Sequence, residues 1–273
     1  MFDFSSFEAH KGLGDFSNIH PTALVSHGAK LDSSVTVGPN AIIGPNVSLA
    51  KDVQIGAGAI VSGHTTIGEG TRVFPYATVG TDPQDLKYDG EETQLVIGKN
   101  NNIREYVNIS CGTSGGGGKT SIGDNNLIMA YTHVGHDCYI GNHCIFANSV
   151  QLAGHVIIGD YVVFGGLAGA HQFTRFGDRA MVAAGAVVVQ DVAPFCMVQG
   201  DRATITGLNV VGLRRSGLKR ENISEIKSMF RMLFNDNLTL DDAMTKIQSE
   251  IADSSEKETF LNFLRSSERG VCR

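Results

Sequence analysis

Five of the nine histidines in this 273-residue chain fall within residues 128–173: His133, His136, His143, His155 and His171. Histidine titrates near neutrality, so it serves as general acid, general base or metal ligand. His136 is followed by Asp137, a carboxylate suited to orient an imidazole and to stabilise its charged form. Two chemistries stand open. One is a zinc site, because several histidines on one edge could supply ligands. The other is acid–base catalysis, with His136 as base, Asp137 as support and a backbone N–H as oxyanion donor. No serine or cysteine is evidently placed as nucleophile beside His136, and strand alternation turns Cys138 away. Direct attack of a substrate hydroxyl on a thioester is therefore the favoured form of acyl transfer.

The elements that must hold these residues follow a six-residue beat. An aliphatic residue recurs at Ile19, Val25, Leu31, Val37, Ile43, Leu49, Ile55, Val61, Ile67, Val73 and Val79, without one polar exception. Small residues often follow, and Ala, Val or Thr commonly stands four later, as at Ala23, Val35, Ala41 and Thr71. A helix needs a period of 3.6 and a plain strand a period of two. A strict six predicts short strands joined by turns, the mark of a parallel β-helix. Three hexads make one triangular coil of 18 residues. On this count His136, the Gly154–His155 pair and the His171–Gln172 pair share one edge on three successive coils, spanning roughly 10 Å. His133 flanks that edge, and His143 falls elsewhere and reads as structural.

The beat pauses twice. Eighteen residues separate Val79 from Ile97, which reads as an excursion replacing one full coil. Thirteen separate Ile109 from Ile122, where SCGTSGGGGKTS slips the phase. That segment ends in Gly118-Lys119-Thr120 but carries Thr113 where the phosphate-binding loop requires its first glycine, so it reads as a solvated excursion. The beat resumes at Ile122 and runs to Pro194. Helical signals follow, with Asn222 and Glu225 expected as a capping box, Thr239 capping a second helix, and Ser255 with Glu258 opening a third. The expected organisation is an N-terminal extension over 1–18, a β-helix over 19–195, and a C-terminal helical domain over 196–273 that covers the open end.

Composition narrows the function classes. The net charge of −6 gives no general attraction to nucleic acid or anionic lipid. The five cysteines are odd in number and form no CxxC, against a zinc ribbon or disulfide framework. No apolar run approaches 18 residues and the first residues carry acids, against membrane insertion or a secretory signal. A cytoplasmic protein with reduced thiols is expected. Phe2, Phe4, Phe7 and Phe16 of the extension could tuck onto a neighbouring surface.

Against this background the chain resembles the UDP-N-acetylglucosamine O-acyltransferases of lipid A synthesis, from about Ile19 to the C-terminus. The motifs are IHPTA at 19–23, QDLKY at 84–88, HVGHDC at 133–138, LAGH at 152–155, HQF at 171–173, QDV at 190–192 and GLRR at 212–215. The resemblance implies a left-handed β-helix and a homotrimer with active sites between subunits. It implies transfer of a 3-hydroxyacyl chain from acyl carrier protein to the glucosamine 3-hydroxyl of UDP-N-acetylglucosamine. His136 would be general base, Asp137 its support and Gly154 the oxyanion donor. Gln84, Asp85, Leu86, His133, His155, His171, Gln172, Asn209 and Arg215 would contact the sugar nucleotide or line the cleft. Ala183 and Ala184 match the positions that limit acyl-chain length. Arg214, Arg215, Lys219 and Arg220 are candidate docking charges for the acidic carrier protein. No cofactor or metal is implied beyond the carrier's phosphopantetheine. Val211 stands where some relatives carry an acid. The related N-acyltransferase would need an N-terminal uridine-binding domain before Ile19. A γ-type zinc carbonic anhydrase would need two histidines five apart, a spacing not found here. A non-catalytic binding protein on the same scaffold is the remaining alternative.

Overall fold

In the computed structural model, residues 18–273 are described; the phenylalanines of the N-terminal extension lie outside them. Three parallel sheets form the walls of a prism. The first runs from Leu24–Val25 to Val187–Val188, the second from Lys30–Leu31 to Arg175–Phe176, and the third from Thr36–Val37 to Thr204–Leu208. As far as Val187–Val188 each sheet takes every third strand of the chain, so the backbone visits the three walls in turn. Neighbours pair at an offset of 18, as in Leu24 with Ile42 and His133 with Gln151. One coil is therefore three hexads.

The hexad explains each position. The beat residue points inward and is buried, as are Val25, Ile43, Val134 and Phe164. The residue four later is buried too, as are Ala23, Val35, Ala41 and Cys138, and together these fill the prism. Between them the chain turns through a left-handed residue, commonly not glycine: Tyr131, Asp137, His143, Ser149 and His155 all have φ between 57° and 65°. This conformation crowds a Cβ, yet here it recurs corner after corner because the turn geometry demands it. The corner between the second and third sheets carries a ladder of side chains. Asp124, Asn142, Asp160 and Asp178 each accept from a backbone N–H one coil earlier, at 2.7–3.0 Å. His143 sits on that corner stacked on Tyr161, the structural role expected of it.

The excursions differ from expectation in one respect. Thr78 pairs with Ile60 and with Asn108, offsets of 18 and 30. The first excursion therefore adds twelve residues and no coil is replaced. The strand Gln94–Ile97 rejoins the stack directly on His64–Ile67. Asn108 pairs with His133, an offset of 25, so the second excursion adds seven. An added loop at a corner leaves the wall pairing intact, which is why the stack continues through both.

The parallel pairing continues through Cys196–Gln199, which then turns back antiparallel against Thr204–Leu208. Four helices follow: α1 (Val210–Arg215), α2 (Arg220–Phe234), α3 (Leu240–Glu250) and α4 (Ser255–Arg265). Ile226, Met229 and Leu233 of α2 and Phe260, Leu261 and Leu264 of α4 are buried in a core continuous with the solenoid's. Phe195 stacks near Phe260 across the junction. Thr239 caps α3 as expected. Asn222 does not cap α2, which begins after Lys219; its amide donates instead to Glu256. Ser254, one residue before the expected position, caps α4 by accepting from the Lys257 N–H.

Candidate active site

The corner between the first and second sheets carries, on consecutive coils, both excursions and then the turns holding His136, His155 and His171. The histidine edge counted from the sequence is thus a real edge, and the two excursions overhang it.

His136 Nδ1 lies 2.7 Å from Asp137 Oδ2. A carboxylate has only acceptors to offer, so Nδ1 carries a proton, and in the neutral ring the lone pair is then on Nε2. Nε2 points toward the first excursion, 4.0 Å from Asp85 Oδ2. The Asp137 carboxylate is buried and accepts twice more, from the Thr113 N–H at 2.8 Å and the Thr113 hydroxyl at 2.7 Å. Its own backbone N–H donates to Thr120 Oγ1. The Gly-rich segment expected to be a solvated excursion therefore folds over Asp137. Gly116 makes the close approach possible, since a Cβ there would meet the carboxylate at 2.0–2.5 Å. Thr113 and Thr120 were not singled out from sequence. Spacing could not reveal them, because the excursion breaks the count that aligned the histidines.

Gly154 stands against the His136 ring, one coil on. Its N–H meets no acceptor among the described residues, as an oxyanion donor requires. His155 sets its ring edge-on to His136 and stacks on Phe173 at 4.4 Å. Burial lowers the pKa of His155, opposed by the Asp137 charge. His133 donates from Nδ1 to Asn108 Oδ1 at 2.7 Å, and Asn108 in turn donates to Thr78 and Thr81. Burial, then the neighbouring His136, push the His133 pKa down. Cys138 faces the core as expected; burial pushes its thiol up to about 12.

Gln84, Leu86, His171 and Gln172 are exposed on the same corner. A cleft of about 400 Å³ opens between Asp85, Lys87, Glu91, Thr113, His155 and Phe173. A second, of about 530 Å³, shares His155 and Phe173 and runs to Arg175, Asp191 and Arg269. The remaining expected residues lie apart. Ala183 and Ala184 are on the corner between the third and first sheets, with Ala184 exposed. Asn209 is buried; its amide donates to Arg179 O while its oxygen accepts from Gly212 N at the start of α1. Arg215 is exposed at the end of the same helix. Within one chain these four do not reach His136's corner.

His136, Asp137 and His155 could together hold a metal ion, their ligand atoms lying within 4.8 Å of one another. The Asp137 carboxylate already accepts from His136 and twice from Thr113, an arrangement that suits orienting an imidazole for proton transfer.

Solenoid and corner define a hexapeptide-repeat transferase: residues 119–154 match the bacterial transferase hexapeptide family. Residues 191–272 match the second domain of the UDP-N-acetylglucosamine O-acyltransferases. An enzyme of Myxococcus xanthus, named acyl-[acyl-carrier-protein]--UDP-N-acetylglucosamine O-acyltransferase, is 54% identical over 94% of this chain and 100% of its own. The same-named protein of an Anaeromyxobacter strain is 49% identical over 93% and 99%. The solved structure of LpxA from Acinetobacter baumannii superposes with a TM-score of 0.91 at 40% identity, covering 94% of this chain and 100% of that one. The chain belongs to the UDP-N-acetylglucosamine O-acyltransferase family, and its solenoid is the left-handed β-helix of that family.

Proposed function

We propose that this protein transfers a 3-hydroxyacyl chain from acyl carrier protein to the glucosamine 3-hydroxyl of UDP-N-acetylglucosamine, the first step of lipid A synthesis. The observation that carries the mechanism is the line Thr113–Asp137–His136–Gly154. His136 Nε2 takes the proton of the 3-hydroxyl as its oxygen attacks the thioester carbonyl. Asp137 holds the imidazolium that forms. The carbonyl oxygen, now negative, accepts from the Gly154 N–H. Collapse of the tetrahedral intermediate breaks the C–S bond, and His136 returns the proton to the phosphopantetheine thiolate. Gln84, Asp85, Leu86, His133, His155, His171 and Gln172 hold the sugar nucleotide in this reading.

Asn209, Arg215, Ala183 and Ala184 come to the site from a neighbouring subunit of a homotrimer, which accounts for their distance from His136 within one chain. The exposed basic residues Arg214, Arg215, Lys219 and Arg220 around α1 dock the acidic carrier protein. Residues 19–195 form the body of the catalytic domain; the stretch from 196 first adds the strands Cys196–Gln199 and Thr204–Leu208 to its third sheet and then supplies the helical cap. The protein works in the cytoplasm. Among the described residues no helix is long and apolar enough to cross a membrane. The test is product mass after incubation with UDP-N-acetylglucosamine and a ladder of 3-hydroxyacyl carrier proteins. One acylated product is expected; product only with the 3-amino sugar nucleotide would overturn the acceptor, and none with either would overturn the activity.

A further inference from the structure

The two excursions are joined to each other and to the catalytic pair through a short set of hydrogen bonds. Glu91, on the first excursion, accepts at Oε1 from the Ser114 N–H and hydroxyl, both at 3.1 Å. Its other oxygen accepts from the Asp89 N–H at 2.9 Å. The Asp89 and Ser114 N–H donors hold the Glu91 carboxyl at about 2, so it remains an acceptor at any working pH. Ser114 follows Thr113, whose N–H and hydroxyl both reach the Asp137 carboxylate. The Thr113 carbonyl closes the turn behind it, accepting from Gly116 N at 3.1 Å and Gly118 N at 2.8 Å. Gly118 O then accepts from Gln94 N, where the first excursion rejoins the stack.

We propose that Thr113 is a positioning residue for the His136–Asp137 pair, and that Glu91 couples it to the excursion carrying Asp85. The inference rests on the reading of His136 as general base. A carboxylate bonded only to His136 could rotate and leave the imidazole free to turn; two donors from one residue fix both of its oxygens. His136 is then held with Nε2 outward, in the tautomer a base requires. Through Glu91 the excursion that faces the acceptor sugar and the brace on Asp137 move as one body. An excursion loosened from its substrate position would loosen the base as well. Thr113 touches neither substrate in this scheme; it acts through Asp137.

Steady-state kinetics on the full-length protein, with carrier-bound donor and UDP-N-acetylglucosamine, test this. Thr113→Val keeps the backbone donor and the shape but removes the hydroxyl. It should lower kcat by about tenfold, the worth of one hydrogen bond to a charged group, with KM for the sugar nucleotide within about twofold. Thr113→Ser should restore kcat.

The acidic limb of the kcat/KM profile should move upward in Thr113→Val. Asp137 loses a donor that offsets its charge and so holds the proton on His136 more strongly. His136 is also faced by Asp85 from the first excursion, His133 from the preceding strand and His155 from the next coil, and none of these is altered. Glu91→Ala combined with Thr113→Val should cost less than the product of the two single losses, as members of one unit do.

A kcat and pH profile unchanged in Thr113→Val, beside an inactive His136→Ala, would overturn the proposal and leave the base assignment standing. An active His136→Ala would overturn the base assignment itself. Fully multiplicative losses in the double variant would remove Glu91 from the unit. Should Thr113→Val melt at a lower temperature than the parent, Gly116→Ala carries the test. It pushes a methyl onto the Asp137 carboxylate, and it should lower kcat with cooperative melting retained; a parent-like kcat there overturns the proposal.

Discussion

The ring of His136 packs on the backbone of Gly154, and a Cβ at Gly154 would meet ring atoms Cε1 and Nε2 at 2.6 Å. The proposed base and oxyanion donor, on adjacent coils of the solenoid, are held at a fixed spacing by the stacking of the coils, since the His155 N–H donates to His136 O at 2.9 Å. Gly154→Ala cannot be accommodated without turning the imidazole away from Asp137. Its expected effect is a loss of roughly 10²–10³ in kcat, the scale of a lost oxyanion donor or a misplaced base. Retained binding of UDP-N-acetylglucosamine, measured by calorimetry, would place the loss in the chemical step. A variant with parent-like turnover would remove Gly154 from the mechanism.

His136→Ala takes away the proposed proton acceptor and leaves the rest of the corner unaltered in sequence. A general base contributes typically 10²–10⁴, so kcat should fall by that order with KM little changed. A loss below about fivefold would sink the assignment. His155→Ala tests a different role. Its ring is edge-on to His136 and stacked on Phe173, as a wall of the cleft, so the expected change is chiefly in KM.

The walls of the solenoid were legible in the sequence because one rule, an inward aliphatic every six residues, is repeated wherever a strand forms. The edge bearing His136, Gly154 and Gln172 followed by adding 18. What the count could not supply is whatever depends on its interruptions. Thr113 meets Asp137, 24 residues on, only because a seven-residue insertion folds back over the corner, and no periodicity encodes that return. The excursion at 82–93 shows the same limit. An interval of 18 residues looks identical whether a coil is replaced or a loop of twelve is added, and only the pairing of Ile97 with Ile67 decides. Thr239 caps α3 as its pattern predicts, whereas the cap expected at Asn222 failed for a tertiary reason. Asn222 satisfies the pattern, but its amide finds Glu256 of α4, a tertiary partner that overrides the local one.

Acid should weaken the fold through two half-buried histidines. Burial holds the pKa values of His133 and His155 below the ordinary 6.5, so the folded state prefers their neutral forms. Neutral rings contribute stability fully above the unfolded value, and it is lost as pH falls through the lower folded ones. The melting temperature should therefore drop between pH 7 and 5. His133→Gln, neutral throughout, should show a smaller drop. An equal drop in both proteins would assign the acid sensitivity to other groups.

All five cysteines are buried. Burial pushes the thiols of Cys111 and Cys272 up to about 11 and those of Cys138 and Cys144 to about 12, and raises Cys196 as well. Thiolate, the reactive form, should be roughly one part in a thousand or less at pH 8. Iodoacetamide should leave the native protein unmodified and fully active, while the denatured chain takes up five equivalents. Rapid labelling of Cys138 in the native state would mean that the corner beneath His136 opens.

Ala184 offers a test of the subunit arrangement as well as of specificity. It is exposed on a corner away from His136, so within one chain it does not line the cleft beside the proposed base. If the neighbouring subunit brings this corner to the site, enlarging the side chain should shorten the preferred acyl chain. Each methylene refused costs about 0.8 kcal/mol of burial, roughly fourfold in kcat/KM. Ala184→Met should shift the optimum down by about two methylenes or more, and Ala184→Gly should shift it up, both read from product masses in a competition among donors of different length. An optimum that moves with neither substitution would place the acyl chain on another face and remove Ala184 from the groove.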